Sequence, residues 1–179
     1  VTITITTDDP DGAALECSVA TTTTTVSINA LPTAAISGTN TICAGDNTTL
    51  TASGGNAYSW TLPNGGGTSS ANPLNINNAT NANGGVYTVT VTNANNCTAV
   101  ANTTVTVNAL PTATAGGATV CVGDAINLTS SGGTTYSWSG SGITASTQDQ
   151  QNPSIAAATA GMAGIYTVTV TGNNTCTAT

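Results

Sequence analysis

The sequence predicts an all-β chain of tandem β-sandwich repeats in a rod-like array. Three observations carry this. One block occurs twice, LPTAAISGTNTICAGDNTTLTASGGNAYSW at 31–60 and LPTATAGGATVCVGDAINLTSSGGTTYSW at 110–138. Val and Ile alternate with Thr through much of the chain, the period-two pattern of half-buried strands. Gly and Asn clusters interrupt these stretches at short intervals, and no stretch has helical periodicity.

Taken in order, VTITIT opens the chain with Val1, Ile3 and Ile5 alternating with Thr. The loop TDDPDGAALE leads to Cys17, and ATTTTTVSINA (20–30) reads as a second strand, the two forming a hairpin. Its end, SINALPT, matches TVNALPT at 106–112. Residues 1–30 are therefore expected to be the closing strands of a preceding repeat. The complete repeat spans 31–109, with strands expected at 33–37, 40–43, 47–53, 57–62, 73–77, 85–92 and 98–108. Leu31-Pro32 marks its start, where Pro fixes φ and cannot donate to a ladder, suiting a stiff junction. Turns fall at Gly54-Gly55, Asn64–Gly67 and Asn83–Gly85. Seven short strands at this spacing mean a sandwich. The next repeat spans 110–179, with strands expected at 112–116, 118–121, 125–130, 135–139, 153–157 and 164–171 and its last strand lacking. Its 141–151 stretch replaces the glycine loop of the first copy, as loops vary while frameworks hold.

Spacing supports the division. Cys43 to Trp60 and Cys121 to Trp138 are both 17 residues, and Tyr87 to Cys97 and Tyr166 to Cys176 are both 10. Insertions fall between these pairs, so the pairs belong to rigid units. Open-ended repeats suggest a window on a longer array.

Composition removes several functions. The 179 residues hold no Lys, Arg or His, and seven acidic residues give a net charge of −7. Nucleic acid is excluded as a partner, because phosphate binding needs cations. Anionic lipid is disfavoured for the same reason. No apolar run reaches the length of a membrane span, and no signal peptide is visible at Val1. Catalysis is expected to be absent: there is no His base, no Lys nucleophile and no Arg clamp. The core is poor in bulk, with no Phe, one Met and two Trp. Cross-links are the expected supplement to so thin a core.

The order GDNTTLTASGG, AYSW, GGVYTVTV resembles strands B, C and F of an immunoglobulin-like sandwich. In that resemblance Trp60 and Trp138 stand for the buried strand-C tryptophan, and Tyr87 and Tyr166 for the tyrosine corner. Antibody domains carry cysteines in strands B and F. Here those places hold Ala52 or Ser130 and Val89 or Val168, and the cysteines lie earlier and later. LPTA, Cys-x-Gly-Asp, Tyr-Ser-Trp and Tyr-Thr-Val-Thr-Val together resemble the Ig-like and PKD-like repeats of large secreted bacterial surface adhesins and filaments. The resemblance covers nearly the whole chain.

Repeat logic pairs Cys43 with Cys97 and Cys121 with Cys176, and in the Ig-like resemblance each pair would join the end of strand A′ to the start of strand G. Cys17 would pair with a cysteine outside this sequence. The alternatives for these cysteines are a thiol nucleophile or a metal site, which lack His and Cys-x-x-Cys spacing here. Disulfides imply an oxidising, extracellular, cell-surface setting.

Asp8, Asp9, Asp11 and Glu16 form the one acidic cluster and are a calcium candidate, without EF-hand spacing. The favoured reading is a solvated hairpin tip with an Asp-Gly turn. Asp46 and Asp124 repeat at one turn position, which is turn chemistry, and Asp149 is isolated. No cofactor is expected. In YTVTVT, Thr88, Thr90 and Thr92 are expected to face water. A flat Thr ladder could bind ice or crystals, but a twisted sandwich offers only short curved ones. Asn-x-Thr sequons occur at Asn47, Asn78, Asn96, Asn102, Asn127 and Asn173.

The expected role is a structural segment of an extracellular bacterial filament, stalk or adhesin, a disulfide-stapled spacer whose partners are neighbouring repeats. Two alternatives remain: a pilus-like subunit polymerising by strand complementation, or a module binding glycans or surfaces, in which Trp60 and Trp138 would stack on sugars if exposed.

Overall fold

A computed structural model describes residues 2–6 and 21–179. Asp8, Asp9, Asp11, Glu16 and Cys17 lie outside the described residues, so the calcium candidate and the Cys17 pairing do too. Strands β1 (Thr2–Thr6) and β2 (Thr21–Thr25) pair antiparallel, Thr2 opposite Thr25.

The first sandwich contains β3 (Ala35–Ser37), β4 (Thr41–Cys43), β5 (Thr48–Ser53), β6 (Ala57–Thr61), β7 (Thr68–Ser69), β8 (Leu74–Ile76), β9 (Gly85–Thr92) and β10 (Thr98–Asn108). One sheet has the order β3-β5-β8 and the other β4-β10-β9-β6-β7. In immunoglobulin lettering these are A-B-E and A′-G-F-C-C′, so the fold is an Ig-like β-sandwich. All pairs are antiparallel except β4 with β10, which run parallel with Cys43 opposite Asn108.

Alternation makes the core. Thr48, Leu50 and Ala52 of β5 point inward, as do Tyr87, Val89 and Val91 of β9. They close around Trp60, with Val105 and Ile76. Each large apolar side chain so buried contributes about 1.5–3 kcal/mol of transfer free energy. The intervening Thr88, Thr90 and Thr92 are half-buried rather than fully exposed. The β7 hairpin edge was not expected. Its residues follow the Gly65–Gly67 run, which reads as loop, yet the chain turns back there and Leu62 N–H bonds Gly67 O at 2.9 Å.

The second sandwich contains β11 (Thr114–Gly116), β12 (Ile126–Asn127), β13 (Thr129–Ser131), β14 (Thr135–Ser139), β15 (Ser154–Ile155), β16 (Thr167–Thr171) and β17 (Thr177–Ala178). Strand B is split at Leu128, whose N–H turns to Pro153 O at 3.0 Å. Its core is Trp138 with Ile126, Leu128, Ile155, Val168 and Val170. Two features depart from expectation. The last strand, expected to be lacking, is present as β17, which pairs with Val170 and Thr171. The expected strand at 118–121 is absent. In the first sandwich that strand is held by the far end of G, Thr106–Asn108. In the second sandwich no described strand lies opposite 118–121.

Candidate functional site at the junction of the two sandwiches

The Cys-x-Gly-Asp turn has three backbone hydrogen bonds in common between the two sandwiches. Asp46 N–H bonds Cys43 O and Asp124 N–H bonds Cys121 O, each at 3.1 Å. Gly45 and Gly123 carry positive φ, 92° and 96°, which glycine adopts without Cβ strain. Their N–H groups bond Ala79 O and Ala158 O, each at 2.8 Å. The Asp46 carboxylate accepts the Cys43 N–H at 3.1 Å. These aspartates therefore hold a turn.

The turn lies at the end of the sandwich from which the chain leaves. Ala44 N–H bonds Asn108 O at 2.8 Å, just before the Ala109-Leu110-Pro111 link. The β9–β10 and β16–β17 hairpins lie at the other end, where the chain enters. Asn93 Nδ2 donates to Ala30 O and Asn174 Nδ2 donates to Ala109 O, both at 2.9 Å. Thus the turn of the first sandwich and the hairpin of the second meet at the link.

They are covalently joined there. Cys43 and Cys176 form a disulfide with Cα atoms 5.7 Å apart. This corrects the expected bridges Cys43–Cys97 and Cys121–Cys176. The reason is strand direction. Because β4 and β10 are parallel, Cys43 sits beside the end of β10, whereas Cys97 precedes its start. The 11 residues of β10 separate them, roughly 36 Å at the usual rise, against the ~7 Å limit for bridgeable Cα atoms. Cys97 and Cys121 are free thiols, half-buried and exposed respectively. Around the bridge a cleft of about 700 Å³ is lined by Thr41, Asp46, Asn47, Asn108 and Asn174, among others.

The aromatic residues are structural. Trp60 and Trp138 are 0% and 3% exposed, so neither presents a face for sugar stacking. Trp138 Nε1 donates to Gln151 O at 3.3 Å, while Trp60 Nε1 is buried without a partner. Tyr87 hydroxyl donates to Asn83 O at 2.9 Å, four residues upstream. Tyr166 hydroxyl lies 2.9 Å from Met162 O and 2.6 Å from Ser141 O, and its one proton serves either. Burial raises the Tyr87 phenol above its ordinary pKa of 10.0.

A second concavity of about 480 Å³ lies in the second sandwich, lined by Val120, Val122, Ile126, Trp138, Met162 and Tyr166, among others. In the first sandwich, Val105 and Val107 of strand G pack against the corresponding core. Among the described residues no cluster of His, Cys, Asp or Glu suits a metal ion. No helix among them is long and apolar enough to cross a membrane.

The sequence matches no protein-family model and no curated protein. Among solved structures it is similar to the three N-terminal domains of the bacteriophage RB49 highly immunogenic outer capsid protein, 24% identical over 79% of this chain and 55% of that one, TM-score 0.41. It is also similar to murine CEACAM1b, 16% identical over 75% of this chain and 89% of that one, TM-score 0.35. A third is the amphioxus IgVJ-C2 molecule, 16% identical over 77% of this chain and 95% of that one, TM-score 0.34. The strand order above, and not these similarities, carries the fold.

Proposed function

We propose that this chain is a mechanical spacer, a non-enzymatic segment of an extracellular bacterial surface filament, stalk or adhesin built from tandem Ig-like repeats. The observation that supports it is the Cys43–Cys176 bridge between sandwiches. A disulfide inside a domain protects that domain. One across the junction fixes the angle between domains and carries load past both of them. The short Ala109-Leu110-Pro111 link and the Asn174–Ala109 hydrogen bond limit bending at the same point. Such a bridge persists in an oxidising, extracellular setting. The absence of Lys and Arg leaves trypsin-like proteases no cleavage site, which suits exposed surface material. Small-angle X-ray scattering tests the reading. The oxidised chain should show one elongated, narrowly distributed shape that broadens on reduction. Identical profiles in both states would sink it.

A second reading, polymerisation of short subunits by strand complementation, is favoured by the concavity of the second sandwich. Ile28, 83% exposed, matches Val107 of strand G, which packs on the first core. A strand donated by another copy could fill that concavity. Surface material from the source cell, denatured and reduced, discriminates. A continuous chain stays long, whereas a polymer collapses to subunits of this chain's mass.

A further inference from the structure

Two thiols at the junction-forming positions have no use in the chain as described. Cys121 occupies the turn position that Cys43 occupies, and Cys97 the hairpin position that Cys176 occupies. We infer that both are halves of the same inter-repeat bridge. Cys121 bonds the hairpin cysteine of a second copy of the repeat placed after this chain's second sandwich. Cys97 bonds the turn cysteine of a copy placed before the first.

The formed bridge and the unformed ones share local geometry. The Cys121 turn repeats three backbone hydrogen bonds of the Cys43 turn, through Asp124, Gly123 and Ala158. At the other end, the hairpin of the first sandwich grips the entering chain as the hairpin of the second does. The Asn93–Ala30 and Asn174–Ala109 hydrogen bonds have the same length, 2.9 Å. Residues 27–32, SINALP, also match 106–111, TVNALP, through the link itself. The segment that follows β2 to Ala30 therefore enters the first sandwich as the segment that follows β10 to Ala109 enters the second. The sandwich owning that strand would bring its turn cysteine to Cys97, as the first brings Cys43 to Cys176. Both thiols are reachable, Cys121 exposed and Cys97 half-buried.

The resulting contact is head to tail and does not close on itself, which generates a linear array. Each bridge forms as two thiols lose two protons and two electrons to make one S–S bond. A disulfide oxidant, such as oxidised glutathione, takes up both and leaves as two thiols. This deepens the spacer reading and rests on it, by making the staple a repeated one that runs the length of the array.

The test is a lengthened chain, residues 1–179 followed directly by a second copy of residues 101–179. This completes strand G of the second sandwich and adds a third. After oxidation with a glutathione buffer, native alkylation and peptide mapping should find two bridges, Cys43–Cys176 and Cys121 to the second-copy Cys176. Cys121 should change from fully alkylated in the 179-residue chain to unlabelled in the longer one. Alkylated Cys121 beside an intact Cys43–Cys176 bridge overturns the inference and leaves the spacer reading standing. Loss of both bridges overturns both. Should the longer chain not fold, the 179-residue chain oxidised at high concentration gives the same answer. Reduction-sensitive multimers should be linked Cys97 to Cys121 and be stopped by Cys121→Ser. Predominantly like-to-like links would overturn the inference.

Discussion

Reducing the Cys43–Cys176 bridge should lengthen the chain under load by a calculable amount. With handles at the two chain ends, force enters before Cys43 and leaves after Cys176. The bridge therefore removes from extension every residue between them, a separation of 133. At up to about 3.6 Å per extended residue, those residues hide roughly 480 Å of contour length. Single-molecule pulling of the oxidised chain should show only the short extension of segments outside the loop. Adding reductant, or substituting Cys43→Ala, should release the hidden length in two unfolding steps, one for each sandwich. Reductant should change nothing in the Cys43→Ala chain. The equilibrium counterpart follows from loop entropy: closing a loop of this size restricts the unfolded chain by roughly 5 kcal/mol. Full extension of the oxidised chain without reductant would refute the reasoning, because it would mean that load runs through the sandwiches and not across the bridge.

Other outcomes follow from the same structure. Leu50→Ala, at a side chain 1% exposed, should destabilise the first sandwich by about 2–5 kcal/mol in urea melts, while the second sandwich, with its separate core, should unfold unchanged in the reduced chain. Gly54 has φ of 104°, and a Cβ there would meet the Thr33 carbonyl. Gly54→Ala should therefore cost at least about 1–3 kcal/mol from backbone strain alone. Tyr87 has its phenol pKa raised by burial, so the folded state holds that proton more tightly than the unfolded state. Its contribution is complete below pH 10.0 and is lost as pH rises through the folded value. Alkaline melts should lose stability above that pH, and Tyr87→Phe should flatten the loss while costing about 0.5–1.5 kcal/mol at neutral pH for the hydrogen bond to Asn83.

Much of this fold is legible in the sequence because the repeat states it twice. Inward alternation in β5 and β9 follows from the Leu50-Thr-Ala52 and Tyr87-Thr-Val89-Thr-Val91 patterns. The Gly-Asp turn follows from positions that only glycine and a capping carboxylate fill easily. The pairing of cysteines was not legible, and the physical reason is specific. Repeat spacing groups Cys43 with Cys97, but pairing depends on which ends of strands meet. That is set by the parallel direction of β4 against β10, a three-dimensional fact with no local sequence signal. One signal does point the right way. The insertion-free spacing from Tyr87 to Cys97 places that cysteine in the hairpin after β9, and a hairpin there must face the entering chain. The β7 strand was hidden for another reason. Its two residues follow a glycine run and pair through backbone alone, so no alternation marks them.

The two sandwiches are joined by a single covalent link, Cys43–Cys176, and a non-reducing peptide map tests it. Peptic digestion at low pH suppresses thiolate exchange and needs no Lys or Arg. The peptide holding Cys43 should travel with the peptide holding Cys176 and separate from it on reduction, with Cys97 and Cys121 recovered as thiols. Recovery of Cys43 joined to Cys97, and Cys121 joined to Cys176, would contradict the account, returning the staples to the interior of each sandwich and leaving the junction unlinked.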